Sequence, residues 1–146
     1  MKYSGTHVLV CDGGKALLLR NTRIEIDPKL DKVWETAIEN PPTREQGSDR
    51  PPRVFESVGA RRSGIEQTDL HDRREEEFAR DIARHIDRLR MDGVVRSLTV
   101  VASPRMLADL RRFFSEQTRS LVRNEIAKDI VNKSVHDIEA YLSARR

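Results

Sequence analysis

Short apolar runs alternate with long charged stretches along this chain, and the spacing of the apolar positions separates strands from helices. Val8-Leu9-Val10-Cys11 is a short β-branched run closed by Asp12-Gly13-Gly14, a turn signal. Ala16-Leu17-Leu18-Leu19 follows at once, and the pair predicts an antiparallel hairpin. Residues 32–38, with Val33, Trp34 and Ile38 as apolar members, add a third strand. Leu98-Thr99-Val100-Val101-Ala102 is nearly all apolar, the pattern of a strand covered on both faces. Residues 121–131, with Val122, Ile126 and Ile130, suit either period and are read as the fifth strand.

Three helices are predicted. Phe78, Ile82, Ile86 and Leu89 fall at i, i+4, i+8 and i+11, a single apolar stripe. Asp72 serves as N-cap, with Glu75 at capping-box spacing, and Gly93 is the stop. Ser103-Pro104 sets a capping hydroxyl before a proline at the first helical position, and Leu107, Leu110 and Phe114 give that helix its buried stripe, with Met106 and Phe113 at its edges. The last helix begins near Ser134, with Asp137 as a capping partner and Val135, Ile138 and Leu142 as its stripe. The order is β-β-β, long loop, α-β-α-β-α, an α/β fold with helices on the faces of a mixed sheet. The right-handed crossover rule sets the fourth strand parallel to and beside the first. The expected strand order is 3-2-1-4-5, the layout of a ribonuclease H-like domain, in a single domain spanning residues 1–146.

The predicted loop, residues 41–72, holds four of the six prolines and Gly47, Gly59 and Gly64. Loops this long in a compact domain are functional or disordered. Its cations are Arg44, Arg50, Arg53, Arg61 and Arg62, with no lysine. Guanidinium groups grip phosphates in a planar two-point contact and stack on bases, and arginine-rich segments order on RNA. The competing expectation is a solvated loop whose arginines pair locally, as Asp49 with Arg50. Phe55 is expected to anchor the loop to the core rather than stack on a base. A second cluster, Arg111, Arg112, Arg119 and Arg123, is an ordinary soluble surface, unless the helix runs far enough for Arg112, Arg119 and Arg123 to share one face.

Charge and composition narrow the classes. There are 27 Lys+Arg against 24 Asp+Glu, a net charge of +3, which is mildly basic rather than polybasic. One cysteine, Cys11, rules out a disulfide framework and is expected to be a buried thiol. No apolar run approaches the roughly 20 residues of a bilayer span, and residues 1–7 lack the pattern of a signal peptide. The expectation is a cytoplasmic protein without membrane insertion. A two-metal nuclease needs several carboxylates around paired cations. Asp12, Glu75 to Glu77 and Asp129 are suitably placed, but the fourth strand ends Ala102-Ser103-Pro104 with no acid. Asp12 also reads simply as the side-chain acceptor of a hairpin turn. His7, His71, His85 and His136 show no paired ligand spacing. Neither a Gly-rich phosphate loop nor a Gly-x-Ser-x-Gly elbow is present. No metal, cofactor or catalytic residue is assigned, and the residues lean away from an enzyme.

Five segments resemble a known family in the right order. They are the opening hairpin from Val8 to Ala16, Ser48-Asp49-Arg50-Pro51-Pro52-Arg53-Val54-Phe55-Glu56-Ser57, Phe78-Ala79, the strand-to-helix segment from Ala102 to Arg111, and Glu125-Ile126-Ala127-Lys128-Asp129-Ile130. The chain resembles the bacterial host attachment protein family, required for attachment to host cells, over nearly its whole length. Asp12, Asp49, Phe55, Gly59, Pro104, Arg111, Lys128 and Asp129 are the positions carried by this resemblance, while Pro52 and Ala108 stand where the family commonly has glycine. The family is similar in turn to the middle domain of archaeal and eukaryotic class I release factors. Their Gly-Gly-Gln loop triggers peptidyl-tRNA hydrolysis. Here the corresponding stretch reads Arg61-Arg62-Ser63-Gly64-Ile65-Glu66-Gln67, which keeps Gln67 but lacks the paired glycines and their backbone freedom. The resemblance implies a non-catalytic domain contacting RNA, the ribosome or tRNA through Arg44, Arg50, Arg53, Arg61 and Arg62, with Gln67 beside them. The alternatives are a residual peptidyl-tRNA or RNA hydrolase and a protein-binding adaptor acting indirectly in attachment. Oligomeric state is not legible in the sequence.

Overall fold

Consecutive residues of the opening strand sink into two different cores. Leu9 and Cys11 pack with Ala16, Leu18, Val100 and Ala102, whereas Val8 and Val10 pack with Leu17, Leu19 and Val101. Side chains alternate across a strand, so a strand covered on both faces must be apolar at nearly every position. The computed structural model describes residues 6–23, 28–38 and 56–144, with the backbone alone over 56–69. In chain order its elements are β1 (Thr6–Cys11), β2 (Lys15–Asn21), β3 (Leu30–Ala37), α1 (Glu56–Met91), β4 (Ser97–Ala102), α2 (Pro104–Phe113), α3 (Glu116–Arg119), β5 (Val122–Ala127) and α4 (Val135–Ala144).

The five strands form one mixed sheet in the expected order β3-β2-β1-β4-β5. β2 runs antiparallel to β1 and β3, while β4 runs parallel to β1 and β5. Two register shifts interrupt the ladders. Leu18 faces Trp34 and Leu19 faces Lys32, which leaves Val33 as an extra residue in β3. Leu98 faces Val122 and Thr99 faces Asn124, which leaves Arg123 as an extra residue in β5. Both bulges lie on the outer strands, where such insertions bend the strand and redirect a side chain.

Helices close both faces. Phe78, Ile82 and Ile86 of α1 and Met106, Leu107 and Leu110 of α2 cover one face. Ile138 of α4, with Ile130 and Val131 before it, covers the other. The caps explain the boundaries. Ser103 accepts a hydrogen bond from the Met106 N–H ahead of Pro104, and Ser134 Oγ accepts one from the Asp137 N–H at 3.0 Å. Gly93 has φ of 79°, the left-handed conformation that ends helices and favours glycine. On the outer strand, the Leu30 N–H donates to Glu139 Oε2 of α4 at 2.7 Å, so a helix carboxylate occupies a donor that would otherwise be open at the sheet edge.

The first helix begins far earlier than its capping signal suggested. Residues 56–72 of the expected 41–72 loop are helical, and α1 runs 36 residues, about 54 Å at 1.5 Å per residue. Asp72 is therefore not an N-cap; its Oδ1 accepts from Arg105 Nη1 at 3.0 Å. Gly59 and Gly64 fall inside the helix, where each costs about 1 kcal/mol relative to alanine without ending it. Residues 41–55, including Arg44, Asp49, Arg50, Arg53 and Phe55, lie outside the described residues. The short α3 was not expected. Its signal is Ser115 before Glu116: the Ser115 hydroxyl accepts from the Thr118 N–H at 3.1 Å.

The Cys11 thiol is fully buried. Burial pushes its pKa far up, and the nearby carboxylates of Asp12 and Asp129 add to the effect. The folded protein should leave this thiol unmodified by a disulfide reagent at pH 8, with stoichiometric labelling after addition of denaturant. Rapid labelling of the native protein would contradict the two-sided burial of β1.

Candidate functional site

The hairpin turn between β1 and β2 is built by one side chain. Asp12 Oδ1 accepts from the Gly14 N–H at 2.8 Å and the Lys15 N–H at 2.9 Å, which is the turn role expected of an Asx residue. Above it, Glu75 of α1 lies so close to Gly13 that a Cβ there would sit 2.5 Å from Glu75 Cδ. A side chain at this position would require the end of Glu75 to move aside. Glu75 Oε2 is also 2.7 Å from His71 Nε2, one helical turn back. Gly13, Gly14, Ile38, His71, Arg74 and Glu75 enclose a cavity of about 250 Å³. Of the carboxylates considered for a nuclease, Glu76 pairs with Arg112, Glu77 lines a different groove and Asp129 is exposed beyond the end of β5. Among the described residues, no group of three or more His, Cys, Asp or Glu side chains is arranged to hold a metal ion.

That cavity shares Ile38 and Arg74 with a larger groove of about 460 Å³ between β3 and α1. Trp34 and Thr36 form its strand wall; Glu77, Phe78 and Asp81 form its helix wall. Trp34 stacks on His85 with ring centroids 4.1 Å apart and planes 20° apart. Sequence spacing did not reveal this pair, since it joins a strand to a helix fifty-one positions later. Burial lowers the His85 pKa, and the Arg88 cation lowers it further.

The second arginine cluster is divided by the fold. α2 ends at Phe113, so Arg112, Arg119 and Arg123 do not share a helix face; they belong to α2, α3 and β5. Arg112 faces α1, where it pairs with Glu76 and lies 3.6 Å from Asp109. Arg105 bridges Asp72 and Asp109 at 3.0 and 3.9 Å. The result is a chain of alternating charge, Asp72–Arg105–Asp109–Arg112–Glu76, lacing α1 to α2. The guanidiniums of Arg80 and Arg112 each lie 4.6 Å from the Phe113 ring centroid, within cation–π range. A second polar node missed in the sequence joins α1 to α3: Asp87 Oδ1 accepts from the hydroxyls of Ser115 and Thr118, and Arg90 Nε donates to Thr118 Oγ1 at 3.0 Å.

The other cluster members meet at the β5 edge. Arg111 Nε donates to both carboxylate oxygens of Glu125 at 3.1 and 3.2 Å. These bonds raise its pKa. Arg119 Nη1 donates to the carbonyls of Arg111 and Phe114. Of the positions carried by family resemblance, Pro104 opens α2, and the Lys128 N–H donates to the Ala102 carbonyl at 3.0 Å, tying β5 to the end of β4. Gly59, Arg61, Arg62 and Gln67 lie on the α1 backbone. No helix among the described residues is long and apolar enough to cross a membrane.

Two outcomes follow from this geometry. Asp12→Asn keeps the turn acceptor and should unfold at nearly the same denaturant concentration as the parent, whereas Asp12→Ala should lose about 1 kcal/mol; equal losses would assign the effect to the charge. Because the folded His85 binds a proton less readily than the unfolded chain, stability should fall as pH drops below about 6.5. The emission of Trp34, the sole tryptophan, should report His85 protonation with a midpoint below that value. His85→Gln should remove the step, and an unchanged step would place the titration elsewhere.

A family model described as "Protein required for attachment to host cells" matches residues 7–142. An uncharacterized protein of Rickettsia prowazekii (strain Madrid E), RP470, is 30% identical over 74 residues. That match spans about half of each protein, 49% of this chain and 49% of the relative. Two solved structures, an archaeal translation termination factor, aRF1, and an archaeal protein, are similar over 95% of this chain and 36% of theirs, at 9% and 10% identity and a TM-score of 0.47 in both cases. The family match reaches from β1 into α4, and the chain belongs to the family of proteins required for attachment to host cells.

Proposed function

We propose that this family member is a non-catalytic cytoplasmic domain that contacts RNA through the arginines of residues 44–62. In this reading Arg44, Arg50, Arg53, Arg61 and Arg62 supply phosphate contacts, with Gln67 on the same helix, and the RNA is ribosomal or transfer RNA. The observation that carries the proposal is the extension of α1 back to Glu56. Helical geometry sets position 62 within about 20° of Arg73, three turns and about 16 Å away. Arg73 and Arg74 are exposed and form no ion pair among the described residues, whereas Arg84, Arg105, Arg111 and Arg112 each face a carboxylate. Of the two, Arg73 alone falls on the face of position 62; Arg74 lies about 120° round the helix. Engagement of Asp12 in the hairpin turn supports a non-catalytic role.

The test is binding of the full chain to purified ribosomes and to total tRNA across a salt series. Affinity should fall steeply with salt, and Arg61→Ala with Arg62→Ala should weaken binding roughly tenfold and flatten the salt dependence. Binding unchanged by the double substitution would remove the arginine segment from the interface. A partner retained at high salt after nuclease treatment would favour the adaptor reading, and release of peptide from peptidyl-tRNA the hydrolase reading.

A further inference from the structure

The β5 edge carries a basic groove that the arginine segment does not share. Its volume is about 340 Å³, and its lining includes Arg111, Phe114, Arg119, Arg123, Asn124 and Glu125. Three cations thus stand against one carboxylate. Arg119 is pinned by one nitrogen to two carbonyls at the C-terminal end of α2, at 3.0 and 3.1 Å. It offsets the partial negative charge of that helix end, and its Nε and Nη2 donors have no hydrogen-bond partner among the described residues. Arg111 is held by Glu125 through Nε and Nη2, which leaves Nη1. Arg123 is exposed and makes no ion pair or hydrogen bond among the described residues. It is also the extra residue of the β4–β5 bulge. Bulges between parallel strands are rare, and at sheet edges they redirect side chains; here the redirected side chain lines the groove.

We propose that this groove binds the phosphodiester backbone of a single RNA strand, with Arg111, Arg119 and Arg123 contacting its phosphates. Guanidiniums from α2, α3 and β5 line this one groove against a single carboxylate, a charge balance that favours a polyanion. Arg119 is fixed in advance by its two carbonyl bonds, so little of its side-chain freedom is lost on binding. Planar guanidinium donors match phosphate oxygens in a two-point contact, and the Asn124 amide adds a donor and an acceptor for a base edge. Glu125 competes with phosphate for Arg111. The proposal stands on these residues and not on residues 44–62.

The test is fluorescence anisotropy of a labelled twelve-nucleotide oligouridylate with the full chain, over a salt series, with thermal melting as a control for folding. Arg123→Ala should weaken binding at least about threefold and reduce the slope of log affinity against log salt by about 0.7, one single-strand phosphate contact. The melting temperature should not move, because the Arg123 side chain makes no ion pair or hydrogen bond among the described residues. Glu125→Gln should tighten binding by releasing Arg111. The proposal is overturned if the parent does not bind the oligonucleotide at low salt, or if both variants bind like the parent. It is overturned as well if an acidic peptide of matched charge binds equally well, or if inorganic phosphate displaces the strand at equal phosphate concentration. Loss with Arg123→Ala but not with Arg61→Ala/Arg62→Ala supports this site alone; the reverse overturns it and leaves the arginine segment standing.

Discussion

Apolar cover on both faces of the sheet leaves little of β1 and β4 turned to water. Val8, Leu9, Val10 and Cys11 of β1 are all buried, as are Val100, Val101 and Ala102 of β4. A polar group on those strands would need a buried partner, so the fold moves its chemistry outward. Asp12 lies just past β1, Lys128 just past β5, Arg123 on a bulge and the arginines of α1 on a helix surface. The same burial that stabilises the sheet decides where a ligand can meet it.

Charged residues make up 35% of the chain, and the structure divides them by task. The ion chain from Asp72 to Glu76 holds α1 against α2 beside the Phe113 ring. Exposed ion pairs contribute little singly, but a continuous network with shared partners fixes the relative position of two helices. Arginines in that network are committed to architecture. Arg73, Arg74 and Arg123 form no ion pair among the described residues, a separation that the count of basic residues does not show.

The sheet was legible in the sequence because its strands are covered on both sides, which forces unbroken apolar runs such as that from Val8 to Cys11. Strand order followed from crossover geometry, and the caps at Ser103 and Ser134 from local hydrogen-bond chemistry. The start of α1 was not legible. Asp72 and Glu75 have capping-box spacing, yet both carboxylates meet partners from other elements, Arg105 for one and the Gly13 turn for the other. Local spacing cannot separate those roles when the partner lies elsewhere in the chain. The site was legible only in composition. Which arginines pair with acids depends on where α2 ends, and the Arg123 bulge leaves no trace in a period-two pattern.

The bond from Leu30 to Glu139 joins two protective devices in one contact. The helix bearing this carboxylate also roofs the second core through Ile138. Fraying of that helix would therefore uncover a greasy floor and free a strand to pair with another molecule in the same event. Lesions there would surface first as poor yield and clumping, well before any loss of ligand contact.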